Sequence, residues 1–425
     1  MPDIFHLKKA VFQRAVQKFS TFDDSIIDKI NYELSVIEQL NLSYYFLNFI
    51  AIIDICNHKG WLRSPGRGTA TSSLVNYCLD ITMINPIEYG LYFERFINSD
   101  HFVGIDIDID IPTGKRSFLI ELLAEELIES KIHQYVFPPS KYNDEKVKYV
   151  HNGKEFVKHP FGILISDLNQ FADLETLKIE NSKFCVLNDY KNSLRQISPY
   201  KYDVIENDYL AILQQICSHL NGSDQLYKIS TKDVATFKLL NNGQTENIFL
   251  FSDEELKPIL KAFQPSTILE MAIINALYRP GLVDKIPKMI HNKKFGYDQP
   301  FSTDIRVSRL LSETYGLLVF QESFLDIVIQ IAGFKATEAE YYLRVLCSRK
   351  KLLEINNFKQ LFLTGCKSFS ALNLKETKLL ANMLITDCPF TFQKSHAVSY
   401  SMLAYWGAYY KTHFGKEFEK CLNLR

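Results

Sequence analysis

Asp106, Asp108 and Asp110 alternate with Ile105, Ile107, Ile109 and Ile111, and Pro112 closes the run. A period of two predicts a strand with the three acids on one face and the isoleucines on the other. β-Branched residues at every second position favour that extended backbone. Three carboxylates on one strand face repel one another, and a divalent cation would remove the penalty. A Ca²⁺ loop also spaces acids by two, but it needs turn residues and a closing glutamate, and the isoleucines argue for a strand. A solvated edge strand is the plainer alternative. A strand-borne Mg²⁺ site would draw a further carboxylate from elsewhere in the chain and would suit phosphoryl transfer. Lys201-Tyr202-Asp203-Val204-Ile205 is a candidate second strand carrying such an acid, although an acid at a strand end also serves as a helix cap.

Ahead of the acidic run lies Ser64-Pro65-Gly66-Arg67-Gly68-Thr69-Ala70, in which two glycines flank an arginine. Small residues then lead into a helical pattern through Leu74, Val75 and Cys78. A Gly-rich turn feeding a helix N-terminus presents backbone N–H groups and a favourable dipole to phosphate. The Lys-Ser/Thr ending of a Walker A loop is missing, and an ordinary tight turn with a helix cap fits the same residues. Arg95 is a candidate phosphate ligand or a solvated surface charge. Further on, Arg344, Arg349, Lys350 and Lys351 lie just beyond Tyr341 and Tyr342, which suits either a phosphate and stacking surface or a solvated helix end.

The elements that must position these groups are mostly helical. Residues 1–22 read as a short basic lead-in with Lys8, Lys9, Arg14 and Lys18. From Asp24, an acceptable cap, Ile26, Ile30, Leu34 and Ile37 trace a helical stripe. A second, buried helix runs through Tyr44–Ile50 and ends near His58-Lys59-Gly60. Beyond Pro112 and Gly114, Phe118, Leu119, Leu122, Leu123 and Ile128 suggest an amphipathic helix. Residues 131–200 are less regular, with a turn at Tyr142-Asn143-Asp144 and a histidine, His159, as easily structural as functional. From about residue 232 the pattern is helical, interrupted at Asn241-Asn242-Gly243 and at Tyr278-Arg279-Pro280-Gly281. The helix opened by Lys394 is rich in aromatics, which suggests packing before ligand stacking.

At 425 residues and 47% hydrophobic, the chain can bury a large core and split into two or three domains. A formal charge of -1 gives no global attraction to nucleic acid, so a DNA partner would be held by local clusters. Neither a signal peptide nor an apolar run of membrane length is expected. The eight cysteines have no paired metal spacing and read as reduced thiols of a cytoplasmic protein.

Taken together, ordered blocks across most of the chain resemble the alpha subunit of bacterial DNA polymerase III, the C-family replicative polymerases. Tyr32-Glu33-Leu34 with Tyr45-Phe46-Leu47 resembles the family's entry to the palm. Gly66-Arg67-Gly68-Thr69-Ala70 resembles its Gly-Arg-Gly-Ser loop, and Phe93-Glu94-Arg95-Phe96-Ile97-Asn98 its Phe-Glu-Arg-Phe-Leu-Asn segment. The triple-aspartate run resembles Pro-Asp-x-Asp-x-Asp-Phe, with Ile105 in place of proline. Lys201-Tyr202-Asp203 resembles the Lys-Phe-Asp that supplies the third catalytic carboxylate. Ala276-Leu277-Tyr278-Arg279-Pro280-Gly281, Glu313-Thr314-Tyr315-Gly316, Gln321-Glu322, Ala332-Gly333-Phe334 and Lys394-Ser395-His396-Ala397 continue the match in order.

The resemblance implies an α/β palm of the polymerase-β-like nucleotidyltransferase type, a reduced thumb and a large, mainly helical fingers region. The corresponding expected boundaries are 1–115 for the first part of the palm, 116–190 for the thumb, 191–230 for the second part of the palm and 231–425 for the fingers. By the same carry-over, Asp106, Asp108 and Asp203 would be catalytic and hold two Mg²⁺ ions, with Asp110 as a supporting acid. Gly68 and Thr69 would contact the incoming triphosphate. Arg95, Lys201, Arg279, Arg344 and Lys394 are candidates for nucleotide or primer contacts. The implied partners are primer-template DNA, deoxynucleoside triphosphates and other replication proteins, with no membrane.

Departures from the family pattern bear on that expectation. The family's N-terminal metal-dependent hydrolase-like domain and its C-terminal clamp-binding, helix-hairpin-helix and OB modules have no counterpart in the sequence, so poor processivity and reliance on partner proteins are expected. The interval from Asp110 to Asp203 is shorter than the family's. The family's Leu-Arg-Arg-Ala-Met-Gly-Lys-Lys run falls on Leu343-Arg344-Val345-Leu346-Cys347-Ser348-Arg349-Lys350, losing one arginine and the glycine. The leading expectation is a template-directed DNA polymerase of reduced size. The alternatives are a non-catalytic DNA-binding or replisome-assembly protein and a nucleotidyltransferase of another substrate.

Overall fold

Residues 2–127, 130–139, 147–167, 176–179, 182–187, 197–220, 222–298, 301 and 303–422 are described by the structure, a computed structural model. The expected turn at Tyr142-Asn143-Asp144 and the helix position Ile128 lie outside them. The chain divides into two compact units, 1–70 with 74–83 and 102–226, and 71–73 with 84–101 and 227–425.

The first unit begins with a helix where a basic lead-in is expected. Leu7, Val11 and Ala15, spaced by four, are all fully buried, and Pro2–Lys18 around them is helix α1 rather than a basic lead-in. Its charges leave that stripe: Arg14 pairs with Asp54 and Lys18 with Asp80. Helix α2, Asp24–Gln39, is capped one residue earlier than expected, the Asp23 carboxylate accepting from the Ile26 N–H at 3.0 Å. Helix α3, Ser43–His58, is followed by a 3₁₀ turn over Gly68–Ser72 and the short helix α4, Leu74–Cys78.

The acidic run enters a strand only at its midpoint. Strand β1 spans Asp108–Pro112, and Ile105, Asp106 and Ile107 ahead of it join no ladder. There the Ile105 N–H donates to Ser198 Oγ at 3.4 Å and the Ile107 N–H to the Tyr45 hydroxyl at 3.2 Å. Ile105, Ile107, Ile109 and Ile111 are all buried, as the alternation requires, and Asp110 is buried with them. Each isoleucine contributes roughly 1.5–3 kcal/mol by burial, and a one-residue slip would put the acids into the core instead.

Helix α5, Arg116–Glu126, leads to β2 (Ser130–Phe137), β3 (Lys148–His151), β4 (Lys154–Asp167), β5 (Thr176–Ile179), β6 (Ser182–Val186) and β7 (Lys201–Asn207). They form one mixed sheet ordered β1-β7-β4-β2-β6-β5, with β3 also paired to β4. β7 lies between β1, which it meets in parallel, and β4, which it meets antiparallel. The described part of 116–190, the stretch expected as a thumb, thus supplies strands to the sheet that carries the acids. Helix α6, Asp208–His219, is capped by Asn207 and packs on β1.

The second unit is helical, as the pattern from residue 232 predicts. Its helices are α7 (Val234–Asn241), α8 (Leu256–Phe263), α9 (Ile268–Leu277), α10 (Ile286–Phe295), α11 (Ile305–Leu310) and α12 (Gln321–Ala332). They continue with α13 (Ala336–Ser348), α14 (Leu352–Phe369), α15 (Leu374–Asp387), α16 (Lys394–His413) and α17 (Gly415–Leu422). Phe324, Leu343, Phe358, Phe362 and Leu380 from α12 to α15 share one core. No single helix among the described residues is long and apolar enough to cross a membrane; only the bent pair α2 and α3 passes on length and composition.

Candidate metal centre

β1 and β7 run parallel with Asp108 directly opposite Asp203, so the two carboxylates leave neighbouring strands side by side. Asp106, two residues earlier on the same face, joins them. One carboxylate oxygen from each of the three lies within 4.8 Å of the others. Exposure falls steeply along the run: the side chains of Asp106 and Asp108 are 66% and 28% exposed, and that of Asp110 is wholly buried. The sequence pattern treats these acids as equivalent; the fold grades them from solvent to core.

Two cations balance the four acids in part. Lys201 Nζ, itself buried, donates to Asp106 Oδ1 at 2.9 Å and to Asp203 Oδ2 at 2.6 Å. Arg67 lies 3.6 Å from Asp108 and donates to Asp110 Oδ1 at 3.2 Å. Asp203 Oδ1 is buried with no hydrogen-bond partner among the described residues. Burial, then the charges of Asp106 and Asp203, push the Asp108 carboxyl up to about 7, against the opposing pull of Arg67 and Lys201. Burial likewise raises Asp110, with Arg67 opposing. For Lys201 burial works toward a lower pKa, but Asp203 and Asp106 outweigh it and hold the ammonium charged.

Three convergent carboxylates, one with an unused buried oxygen and one driven toward protonation, fit a hard divalent cation. An all-oxygen donor set suits Mg²⁺, Mn²⁺ or Ca²⁺ rather than Zn²⁺. Lys201 bridges Asp106 and Asp203, so a cation shared by these acids would compete with its ammonium or be placed beside it.

Aromatic packing fixes the strands beneath the acids. Tyr202 is fully buried, stacks on Tyr45 at 4.8 Å between centroids, and also contacts Phe49. Its hydroxyl accepts from Asn48 Nδ2 at 3.0 Å. Tyr45, Asn48 and Phe49 all lie on α3, so one helix face holds both β7 and, through the Ile107 N–H, the lead-in to β1. Such aromatic pairs add about 0.5–1.5 kcal/mol each beyond their area.

The glycine loop meets β1 at its outer edge, where the Ser64 N–H donates to the Asp110 carbonyl at 3.2 Å. Gly66 and Gly68 both have positive φ, 137° and 60°, and the turn they make is what brings Arg67 to the acids. Sequence reasoning quoted Arg67 only as a motif letter and missed this role; the clue was a lone cation in a glycine turn ahead of an excess of acids. The helix N-terminus expected to offer phosphate free N–H groups is occupied in part. Leu74 and Val75 of α4 donate to the two oxygens of the Glu33 carboxylate at 2.8 and 2.9 Å. Gly68 and Thr69 stand ahead of that cap, in the 3₁₀ turn.

Four of the candidate cations belong to the second unit. Arg95 is buried and pairs with Glu340 at 2.9 Å, while also donating to Gln321. Arg344 pairs with the same Glu340. Lys394 is buried against Glu313, at 2.9 and 2.8 Å to its two oxygens. Arg279 instead stacks on Phe392 at 3.4 Å, and burial lowers its pKa.

Two family models match the chain. Residues 5–138 match the bacterial DNA polymerase III alpha NTPase domain, and residues 209–370 match the bacterial DNA polymerase III alpha subunit finger domain. Asp106 and Asp108 fall in the first match, Arg279 and Arg344 in the second, and Lys201, Asp203 and Lys394 in neither. Curated relatives extend the likeness over most of the chain. The DNA polymerase III subunit alpha of Bacillus subtilis (strain 168) is 27% identical, over 93% of this chain and 41% of its own length. That of Mycoplasma genitalium is 28% identical over 91% and 50%, and that of Thermus aquaticus 26% over 94% and 38%. The chain therefore spans half or less of the length of these relatives.

Proposed function

This chain belongs to the family of bacterial DNA polymerase III alpha subunits, and from that premise we propose that it is a template-directed DNA polymerase that joins deoxynucleotides to a primer 3′-hydroxyl. The observation that carries the proposal is the convergence of Asp106, Asp108 and Asp203 from adjacent parallel strands within 4.8 Å. When bound there, two Mg²⁺ ions would supply the positive charge that lowers the pKa of the attacking hydroxyl and offsets charge on the departing pyrophosphate.

The chain's own residues would divide the remaining work. Asp203, with its unpartnered Oδ1, and Asp106 and Asp108 hold the cations. Lys201 offsets the repulsion between Asp106 and Asp203, and Arg67 does the same between Asp108 and Asp110. Asp110 positions Arg67 rather than reaching a metal, because it is wholly buried. Gly68 and Thr69 would meet the triphosphate, where a glycine without a Cβ lets phosphate approach the backbone. Arg279, stacked on Phe392, would take up phosphate without exchanging a carboxylate for it, whereas Arg95, Arg344 and Lys394 would exchange one. In this reading the sheet unit acts as palm, with 116–190 as a reduced thumb whose described strands belong to its sheet, and the helical unit as fingers. Primer-template DNA, deoxynucleoside triphosphates and further replication proteins are its partners, in the cytoplasm.

One observation favours the second reading, a non-catalytic DNA-binding or replisome-assembly protein. Val345, standing where the resembled pattern has its second arginine, is buried in the core of the helical unit and offers no contact to phosphate. Primer extension by the purified chain with Mg²⁺, beside an Asp108→Asn control, separates the two. Template-dependent extension that the control lacks supports the polymerase; equal traces in both would leave the binding protein as the better account.

A further inference from the structure

Seven of the eight cysteines are buried and Cys347 is partly exposed. It sits in the last turn of α13, at the position where the resembled pattern carries methionine, so neither the fold nor the metal centre calls for a thiol there. Its Sγ lies 4.0 Å from Sγ of Cys388, the first residue of the 3₁₀ turn Cys388–Phe390 that follows α15. The same Sγ is 3.7 Å from the Cys388 carbonyl oxygen and 3.9 Å from Gln321 Nε2. Two thiols at that separation need to close by about 2 Å to bond, which side-chain rotation and a small shift of one turn supply.

We propose that Cys347 and Cys388 form a built-in oxidation site that hydroperoxides convert to an intrachain disulfide. The Cys347 thiolate attacks the peroxide O–O bond, forming an S–O bond and releasing hydroxide, or an alkoxide from an organic hydroperoxide. The Cys388 thiol then attacks that sulfur, the S–O bond breaks and water leaves, so two thiols are oxidised by two electrons while one peroxide is reduced. The two sulfurs have the unequal surroundings this sequence needs. Hydrogen bonding to Cys388 holds the Cys347 thiol below its ordinary value against the effect of burial, with Arg95 and Arg349 adding to it. Burial keeps Cys388 protonated until a sulfenic acid forms beside it.

The bond would fasten the end of α13 to the turn before α16. It would also reach Gln321, which approaches Cys347 with its amide nitrogen and accepts from Arg95 with its amide oxygen. The site lies wholly within the helical unit and is independent of the acids on β1 and β7.

The test uses the full chain, treated with hydrogen peroxide at stoichiometric ratio, quenched by alkylation and mapped by peptide mass spectrometry. The expected product is a Cys347–Cys388 cross-linked peptide, two hydrogens lighter than its reduced pair and restored by dithiothreitol. In Cys388→Ser the expected product is a Cys347 sulfenic acid trapped by a 1,3-diketone. In the untreated wild-type chain, Cys347 should be alkylated about tenfold faster than the other seven cysteines, as a partly exposed, activated thiol is beside buried ones. Oxidation without that cross-link, or Cys347 reacting no faster than the buried cysteines, overturns the proposal. The wild-type measurements need no variant to fold.

Discussion

Asp203 of the sheet unit and Glu340 of the helical unit are both buried carboxylates, and their surroundings differ in one respect. Glu340 Oε1 accepts from Arg95 and Arg344, and its Oε2 accepts from Asn98 Nδ2, so both oxygens are used. Asp203 spends one oxygen on Lys201 and leaves the other unpartnered, beside two further acids. A saturated buried carboxylate is a structural tie, because removing a partner costs more than the pair gained on forming. An unsaturated group of like charges can serve as a ligand set. Glu322, wholly buried in the helical unit with an unpartnered Oε1, sharpens the distinction. Burial raises its pKa, against Arg95 and Lys394, and among the described residues it belongs to no converging set of acids. A lone acid can take up a proton, whereas three acids together call for a cation.

The contrast can be broken most severely by removing one acid from each side. Asp203→Asn should lower primer extension by on the order of 10³-fold, the scale for removing a single charge-stabilising group, with the fold retained by circular dichroism. Retained extension would show that its open oxygen serves no ligand. Glu340→Ala should instead cost about 3–5 kcal/mol of stability in urea unfolding, because it leaves Arg95 and Arg344 without their carboxylate. A loss below about 1 kcal/mol would remove the idea of a structural tie.

A third prediction concerns pH. The folded value of Asp108, about 7, lies above its ordinary 3.8. The stability linked to its proton is therefore complete below about pH 4 and is lost as pH rises to about 7. With a chelator present, this group alone should lower unfolding free energy by roughly 2 kcal/mol between pH 5.5 and 8. Comparison with Asp108→Asn isolates that share: the variant should lose less over this interval and be the more stable protein at pH 8, although inactive. Saturating Mg²⁺ should cancel much of the wild-type loss. Equal pH dependence in both proteins would contradict the site's electrostatics. The smallest effect is expected from Tyr45→Phe, which removes the acceptor for the Ile107 N–H and should cost about 1 kcal/mol.

How far the site was legible depended on whether its residues announce themselves locally. The Ile-Asp alternation fixed which side chains share a face, and the buried isoleucines bear that out. Where the strand begins was not legible, because the ladder needs a partner and β7 offers its first register opposite only at Asp108. The counter-charges Lys201 and Arg67 come from another strand and a loop, so their spacing to the acids exists only in three dimensions. Helix α1 was missed for the opposite reason: its stripe of Leu7, Val11 and Ala15 was present, but four basic residues drew the reading toward a solvated segment. In 130–187 the 14-residue β4 pairs with β2 and β3 and also with β7, which follows far along the chain, so local periodicity carried little of that arrangement.

If the acids on β1 and β7 are a ligand set, the chain binds a divalent cation through them. Calorimetric titration of the chain with Mn²⁺ near pH 7, in two buffers of different ionisation enthalpy and with Mg²⁺ as competitor, addresses it most directly. Saturable, Mg²⁺-displaceable binding with proton release from Asp108 is expected, abolished in Asp203→Asn. Binding of equal strength in that variant, or none in the wild-type chain, would contradict it.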